Sequence, residues 1–188
     1  MNNNSENNNY NSKYIKLNDY KLFDYEIPNI FLDFIIEEER VIVKTELKLI
    51  KKSINNNTLI LDGINILIKN IYLDDLLVDE KYYSKKENNL LINSINKKRF
   101  TLKIEGIINP KDNLSLLGMY ESTGIITTQC EAEGFRRISY HADRPDILSK
   151  YKVRIEANKE FYPVLLSNGN IIKKNNLKKN RHEVIWED

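Results

Sequence analysis

Three stretches of this sequence alternate apolar and polar residues with a period of two. Val41, Val43, Leu47 and Leu49 alternate with Ile42, Lys44, Glu46 and Lys48. Phe100, Leu102 and Ile104 alternate with Thr101, Lys103 and Glu105, and Tyr151, Val153, Ile155 and Ala157 with Lys150, Lys152, Arg154 and Glu156. A strand places successive side chains on opposite faces, so each stretch reads as a half-buried strand with one charged side. Less regular strands are expected near 25–37, 57–61, 64–73, 88–93, 162–166, 170–173 and 182–187. Asp62-Gly63 divides Leu59-Ile60-Leu61 from the run beginning at Ile64. Asn168-Gly169 lies between Val164-Leu165-Leu166 and Ile171-Ile172, which predicts a hairpin because both turn residues tolerate positive φ. One short helix is expected after Asp143, with Asp143 as cap, Pro145 in the first turn and Asp146 at the positive end of the dipole. The expected fold class is all-β: a saddle-like β-sandwich of mostly antiparallel strands with one short helix.

At 188 residues the chain is expected to form one domain. Residues 1–12 are polar and lack apolar periodicity, which predicts a disordered tail, with the β domain over 13–188. Asn and Ile dominate the composition while Ala occurs only at 132, 142 and 157, so the Asn clusters at 2–4, 7–9 and 55–57 carry coding bias rather than function. The formal net charge is +2, which gives no broad field and no support for nucleic acid as the main ligand. The basic run from Lys173 to Arg181 and Lys97-Lys98-Arg99 lack interleaved aromatics and read as solvated turns. No apolar run approaches the ~20 residues that cross a bilayer, and the start lacks the pattern of a secretory signal. A single cysteine, Cys130, fits a reducing compartment, so a cytoplasmic location away from the membrane is expected.

Residues 118–170 break the monotony of Asn, Ile and Lys. A strand-like Ile125-Ile126-Thr127-Thr128 runs into Gln129, Glu131, Glu133, Arg136 and Arg137. The bland reading is a solvated turn with Glu–Arg pairs. The functional one is that Gln129 and Glu131 share a face if strand geometry continues, so that an amide oxygen and a carboxylate converge on one cation. Glu133, Arg136, Arg137, Asp143, Arg144 and Asp146 read as a salt-bridged scaffold behind them.

The stretch Thr128-Gln129-Cys130-Glu131-Ala132-Glu133-Gly134-Phe135-Arg136-Arg137, then Asp143-Arg144-Pro145-Asp146 and Tyr162 through Asn170, resembles the amino-terminal domain of aminopeptidase N. Asp24-Tyr25-Glu26-Ile27, Leu61-Asp62-Gly63 and Arg99 through Ile104 continue the likeness upstream, from about residue 17 to the end. The nearest branch is the bacterial-type alanyl aminopeptidases, zinc metallopeptidases of the gluzincin group. The resemblance implies a β saddle packed on a thermolysin-like catalytic domain that removes single residues from peptide amino termini. It also implies that Gln129 and Glu131 reach the active site and hold the substrate's α-ammonium group. The acidic side chain at 131 favours this branch over relatives that process leukotrienes.

The chemistry agrees with that role. A free α-amine has a pKa of about 7.7–8.0 and is largely cationic at neutral pH. A carboxylate and an amide oxygen both accept hydrogen bonds, which suits an ammonium with three donors. The catalytic machinery is not expected in this chain: the class needs His-Glu-x-x-His and a third ligand, with the internal Glu as general base. There are two histidines. His182-Glu183-Val184-Ile185-Trp186 starts that pattern but puts Trp at the second ligand, so His182 reads as a strand-edge or surface residue and His141 as a packing or hydrogen-bonding one. The Gly-Ala-Met-Glu-Asn substrate motif is also missing. Cys130 has no partner constellation and reads as a buried structural thiol. The chain is therefore expected to bind no cofactor and to be inactive alone, as a natural fragment or a cut piece lacking a final strand. Zinc belongs to the parent enzyme, whose catalytic domain acts in cis or in trans, and the partner is a peptide's amino terminus. The alternative from another class is a stand-alone β-sandwich module that binds peptide termini without catalysis.

Overall fold

The structure, a computed structural model, describes residues 17–53 and 56–188. The disordered tail expected over 1–12 lies outside the described residues. Among the described residues thirteen strands account for nearly all the regular structure: β1 (Tyr25–Ile36), β2 (Val41–Lys51), β3 (Leu59–Asp62), β4 (Leu67–Leu73), β5 (Leu76–Leu77), β6 (Tyr83–Lys86), β7 (Asn89–Ile92), β8 (Arg99–Ile108), β9 (Gly118–Ser122), β10 (Ile125–Gln129), β11 (Lys150–Asn158), β12 (Asn170–Asn176) and β13 (Arg181–Glu187). They form an eight-stranded sheet in the order β12-β13-β11-β1-β2-β8-β4-β5, a three-stranded sheet β3-β7-β6 and a ribbon β9-β10. Every pairing is antiparallel except β1 with β11. The all-β class expected from the sequence is the class observed.

The period-two strands build the core as expected. From β2, Val41, Val43, Leu47 and Leu49 are buried, and from β8, Phe100, Leu102 and Ile104. Thr45, which interrupts the apolar series of β2, is also buried, and its hydroxyl meets that of Ser139 at 2.5 Å. A buried hydroxyl without a partner is costly, and this pairing satisfies both. In β1, Ile27 and Ile30 are both buried although three residues apart. A register shift between Glu26 and Asn29, around Pro28, restores the face, as a bulge does.

On the opposite face of the large sheet, Arg154 of β11 bridges its neighbours. Its guanidinium donates to Asp33 of β1 at 2.6 Å, to Glu183 of β13 at 2.5 Å and to Glu156 of its own strand. Arg181 donates to Glu156 at 2.5 Å and Asn175 of β12 to Glu183 at 2.6 Å. Four strands, including the parallel pair, are thus tied by one network.

Three local expectations fail. No helix follows Asp143: residues 145 and 146 form a single turn, closed by Ile147 N–H donating to Arg144 O at 3.2 Å. The Asp143 carboxylate is engaged by Arg136 instead of capping, and Asp146 is held by Arg144 and Tyr20. The regular helical turns of the described residues are four short 3-10 turns elsewhere. Residues 162–166 form no strand, and only Leu165 of Val164, Leu165 and Leu166 is buried. The hairpin expected at Asn168-Gly169 accordingly does not form. Gly169 has φ +81° and packs against the end of β13, where a Cβ would lie 2.0 Å from Glu187 O. The hairpin closes instead between β12 and β13, with Lys179 at φ 57° and Asn180 at φ 55°.

Candidate functional site

Gln129 is the last residue of β10, in a ribbon whose tip carries Thr123 at φ 50° and Gly124 at φ 80°. Both tip residues lie in the left-handed region, as a tight hairpin of this kind requires. The chain turns immediately after Gln129. Gly134 N–H donates to Cys130 O at 2.7 Å, and a 3-10 turn follows over Phe135–Arg137. Strand geometry therefore does not continue to Glu131, contrary to the sequence expectation, and the turn, not the pleat, places Gln129 and Glu131. Both are exposed. The Gln129 amide donates to the Glu131 carbonyl at 3.4 Å, and the Glu131 carboxylate makes no ion pair or hydrogen bond among the described residues.

The turn is held by close approach. A Cβ on Gly134 would sit 2.2 Å from Gln129 O, 2.7 Å from Cys130 Cα and 2.9 Å from Gly118 N. Backbone on three sides cannot yield as a flexible side chain can. Gly134→Ala is expected to lower stability by about 1–3 kcal/mol, as overpacking of a filled site does, and to displace Glu131. Thermal unfolding checks this, and an unchanged midpoint would contradict it.

Behind the turn lies the scaffold foreseen from the charges. Arg136 donates to the Asp143 carboxylate from its backbone N–H at 3.1 Å and from Nε at 2.9 Å, and reaches Asp143 O at 3.0 Å. Glu133 lies 3.4 Å from Arg136 but is largely exposed, so that pair contributes little. Burial disfavours the Arg136 charge, yet the hydrogen bond to Asp143 and the nearby Asp62 and Glu133 raise its pKa overall. Arg144 pairs with Asp146 at 2.8 Å and donates to Lys21 O at 2.7 Å, fastening the chain before β1. Arg137 makes no ion pair among the described residues; its Cβ packs over Gly118.

Sequence reasoning missed the anchor of this scaffold, Asp62. Its N–H donates to His141 O at 2.7 Å and its carbonyl accepts from His141 N–H at 3.0 Å. Its carboxylate accepts from Asp143 N–H at 3.0 Å and from Asn89 Nδ2 at 3.2 Å. Two residues on, Ile64 N–H donates to Arg136 O at 2.8 Å. Gly63 lies under the Tyr140 ring, where a Cβ would meet Cε1 at 2.1 Å. The sequence signals were the Asp-Gly pair, which read as a turn, and the place of Leu61-Asp62-Gly63 in the resemblance, and neither gave Asp62 this part.

The remaining candidates have structural places. The His141 ring is buried against Phe135, with centroids 5.2 Å apart, and its Nδ1 has no partner. Burial pushes its pKa down to about 4 against the opposing charge of Asp143, so the ring is neutral. His182 is also buried, on an interior strand, with a ring nitrogen 2.7 Å from Tyr162 O; the expected edge or surface position is not observed. Cys130 is half-buried, and burial, then the Asp143 charge, raise its thiol pKa. Such a thiol is a poor nucleophile.

A model of the Peptidase M1 N-terminal domain matches residues 17–188. The chain belongs to that family. It is 36% identical to aminopeptidase N of Haemophilus influenzae over 177 residues, 94% of this chain and 20% of that protein. It is 37% identical to aminopeptidase N of Escherichia coli over 90% of this chain and 19% of that one. The structure of Legionella pneumophila aminopeptidase A in complex with aspartic acid superposes with a TM-score of 0.88 and 36% identity, covering 93% of this chain and 21% of that one. An M1 zinc metallopeptidase of Deinococcus radiodurans, 11% identical with a TM-score of 0.73, shares the fold. The M1 N-terminal domain described here thus spans about a fifth of the curated relatives' length.

The zinc named for the Deinococcus radiodurans metallopeptidase does not fit the described side chains of this domain. Among the described residues no group of three or more His, Cys, Asp or Glu side chains is placed to hold a metal ion. His141 and His182 are each buried in separate packing. No helix among the described residues is long and apolar enough to cross a membrane.

Proposed function

We propose that this domain serves a zinc-dependent aminopeptidase by gripping the free α-ammonium group of a peptide substrate through Glu131 and Gln129. Zinc, its ligands and the general base come from a catalytic domain, joined in cis or supplied in trans. The observation that carries the reading is the turn at Cys130–Gly134: it holds an exposed carboxylate with no partner among the described residues beside an exposed amide, on a braced backbone.

Once a catalytic domain closes over this surface, water leaves and the Glu131 charge needs a cationic partner. A peptide with a free amine supplies one. A blocked or internal residue leaves a carboxylate buried and unpaired, and a site built around a polar contact rejects the analogue lacking it by large factors. The pair then acts as a ruler that admits one residue beyond the scissile bond. The test compares an alanyl anilide with its N-acetylated form in a complete enzyme carrying Glu131→Gln. Discrimination between the two is expected to fall sharply, and unchanged discrimination would remove Glu131 from this role.

The apolar surface supports a covering partner. Ile125, Leu148, Phe161, Val164 and Leu166 are all exposed by more than half. Scattered apolar residues are ordinary, but Phe161, Val164 and Leu166 fall within one irregular segment that buries Leu165 and packs Tyr162 partly against the core. The isolated chain is expected to self-associate and to show no hydrolysis of an alanyl chromogenic substrate. Light scattering and a chelator-controlled assay check both. A monodisperse monomer would contradict the covered surface, and chelator-sensitive cleavage would contradict the missing zinc site.

A further inference from the structure

We propose that Asp62 is a positioning residue for the substrate amine, setting the place of Glu131 from a different sheet. This rests on the amine-anchor reading above and adds a residue to it. Among the described residues the Glu131 carboxylate has no partner, its carbonyl accepts from the Gln129 amide at 3.4 Å, and its segment is an exposed turn. What fixes that turn against the body of the domain is a chain of contacts that ends at Asp62.

Phe135 to Arg137 close the turn that carries Glu131, and the Arg136 side chain is 16% exposed. Arg136 is fixed by Asp143 through three hydrogen bonds. Asp143 is in turn fixed by the Asp62 carboxylate at 3.0 Å, while the Asp62 backbone exchanges both hydrogen bonds with His141. The second carboxylate oxygen of Asp62 is used by Asn89, across the register of β3 and β7. Both oxygens are therefore committed, one to the three-stranded sheet and one to the turn, and Ile64 N–H meets Arg136 O beside them. Asp62 joins two parts of the domain that share no strand pairing beyond this bridge. An anchor must be held to a fraction of an ångström, and misplacement by about 1 Å costs on the order of a hundredfold.

The experiment uses the complete enzyme with its zinc catalytic domain, active-site titrated so that rates refer to folded molecules. Asp62→Ala is expected to raise KM for an alanyl anilide by about tenfold to a hundredfold. Asp62→Asn keeps an acceptor for Asp143 N–H, and Asn89 can turn its amide to accept from the new N–H2, so KM is expected to return within about threefold of the parent. In a Glu131→Ala background, Asp62→Ala is expected to add no further rise, because residues acting through one another are non-additive. Asp143→Asn keeps the backbone link and weakens the hold on Arg136. It is expected to raise KM in the same direction, and it serves if Asp62→Ala does not fold.

Unchanged KM in both Asp62→Ala and Asp143→Asn, with only fewer active sites, would overturn the proposal and leave Asp62 a stability residue. So would an equal rise with and without Glu131. If Glu131→Ala alone leaves KM unchanged, the amine-anchor reading fails, and this outcome is distinguishable from the other two.

Discussion

Arg154→Met is expected to destabilise the domain by about 2–4 kcal/mol, the scale for breaking a buried ion pair reduced for partial exposure. The guanidinium stands among Asp33, Glu156 and Glu183, whose side chains are 14%, 16% and 11% exposed. Its removal leaves three carboxylates with Arg181 as the remaining cation of the network. Methionine restores the aliphatic packing, so the loss reads the charge and not a cavity. The pH dependence gives a second check. Burial raises the pKa of Glu156, but hydrogen bonds from Arg181 and Arg154 outweigh it and lower the value overall. For Glu183 the Asn175 amide is the main lowering influence, followed by Arg154 after the opposing effect of burial. Carboxylates held low in the folded state contribute stability above the unfolded carboxylate range, and that stability is lost as pH falls through the folded values. In the variant the crowded carboxylates gain from protonation instead. The deficit should shrink as pH falls from above the ordinary carboxylate range to below it. Urea unfolding above and below that range measures it, and a deficit that grew on acidification would contradict the network's assigned role.

Glu131→Ala in a complete enzyme is expected to cost about 2–5 kcal/mol of substrate binding, the scale for truncating one partner of a desolvated charge pair. That corresponds to roughly thirtyfold to several thousandfold in affinity. The effect is expected on amine-bearing substrates only, since a blocked substrate never had the ion pair. Fold stability should hardly move, because the Glu131 carboxylate has no partner to lose among the described residues. Steady-state kinetics with an unfolding control separates the two. Normal aminopeptidase kinetics in the variant would remove Glu131 from the site.

What could be read in the sequence follows from where each strand sits. β2, β8 and β11 are interior strands of the large sheet with one face in the core, so their alternation is written in the residues. β5 has two residues, both exposed, and β6 is an edge strand with little buried surface; neither has a face to encode. The segment 162–166 looked like a strand because Val164 and Leu166 are apolar, yet those side chains face outward. There the apolar pattern marks a surface and not a sheet. The helix expected after Asp143 failed because local capping chemistry lost to a tertiary partner, Arg136. Gln129 and Glu131 were picked out by a resemblance and by their crowded polar setting. Their support was not legible: the bond from Asp143 to Asp62 joins residues 81 apart, and no local pattern announces it. The buried place of His182 was missed for a related reason, since its strand becomes interior only when β12 folds back beside it.

The central claim, that Glu131 and Gln129 exist to hold a substrate's amino terminus, is tested most directly by a structure of the complete enzyme with a free amino acid bound. The account predicts the ammonium nitrogen within about 3.2 Å of both a Glu131 carboxylate oxygen and Gln129 Oε1, the outer limit of a good N–H···O hydrogen bond. An ammonium group held by other residues, with Glu131 turned away or neutralised by a cation of the catalytic domain, would contradict it.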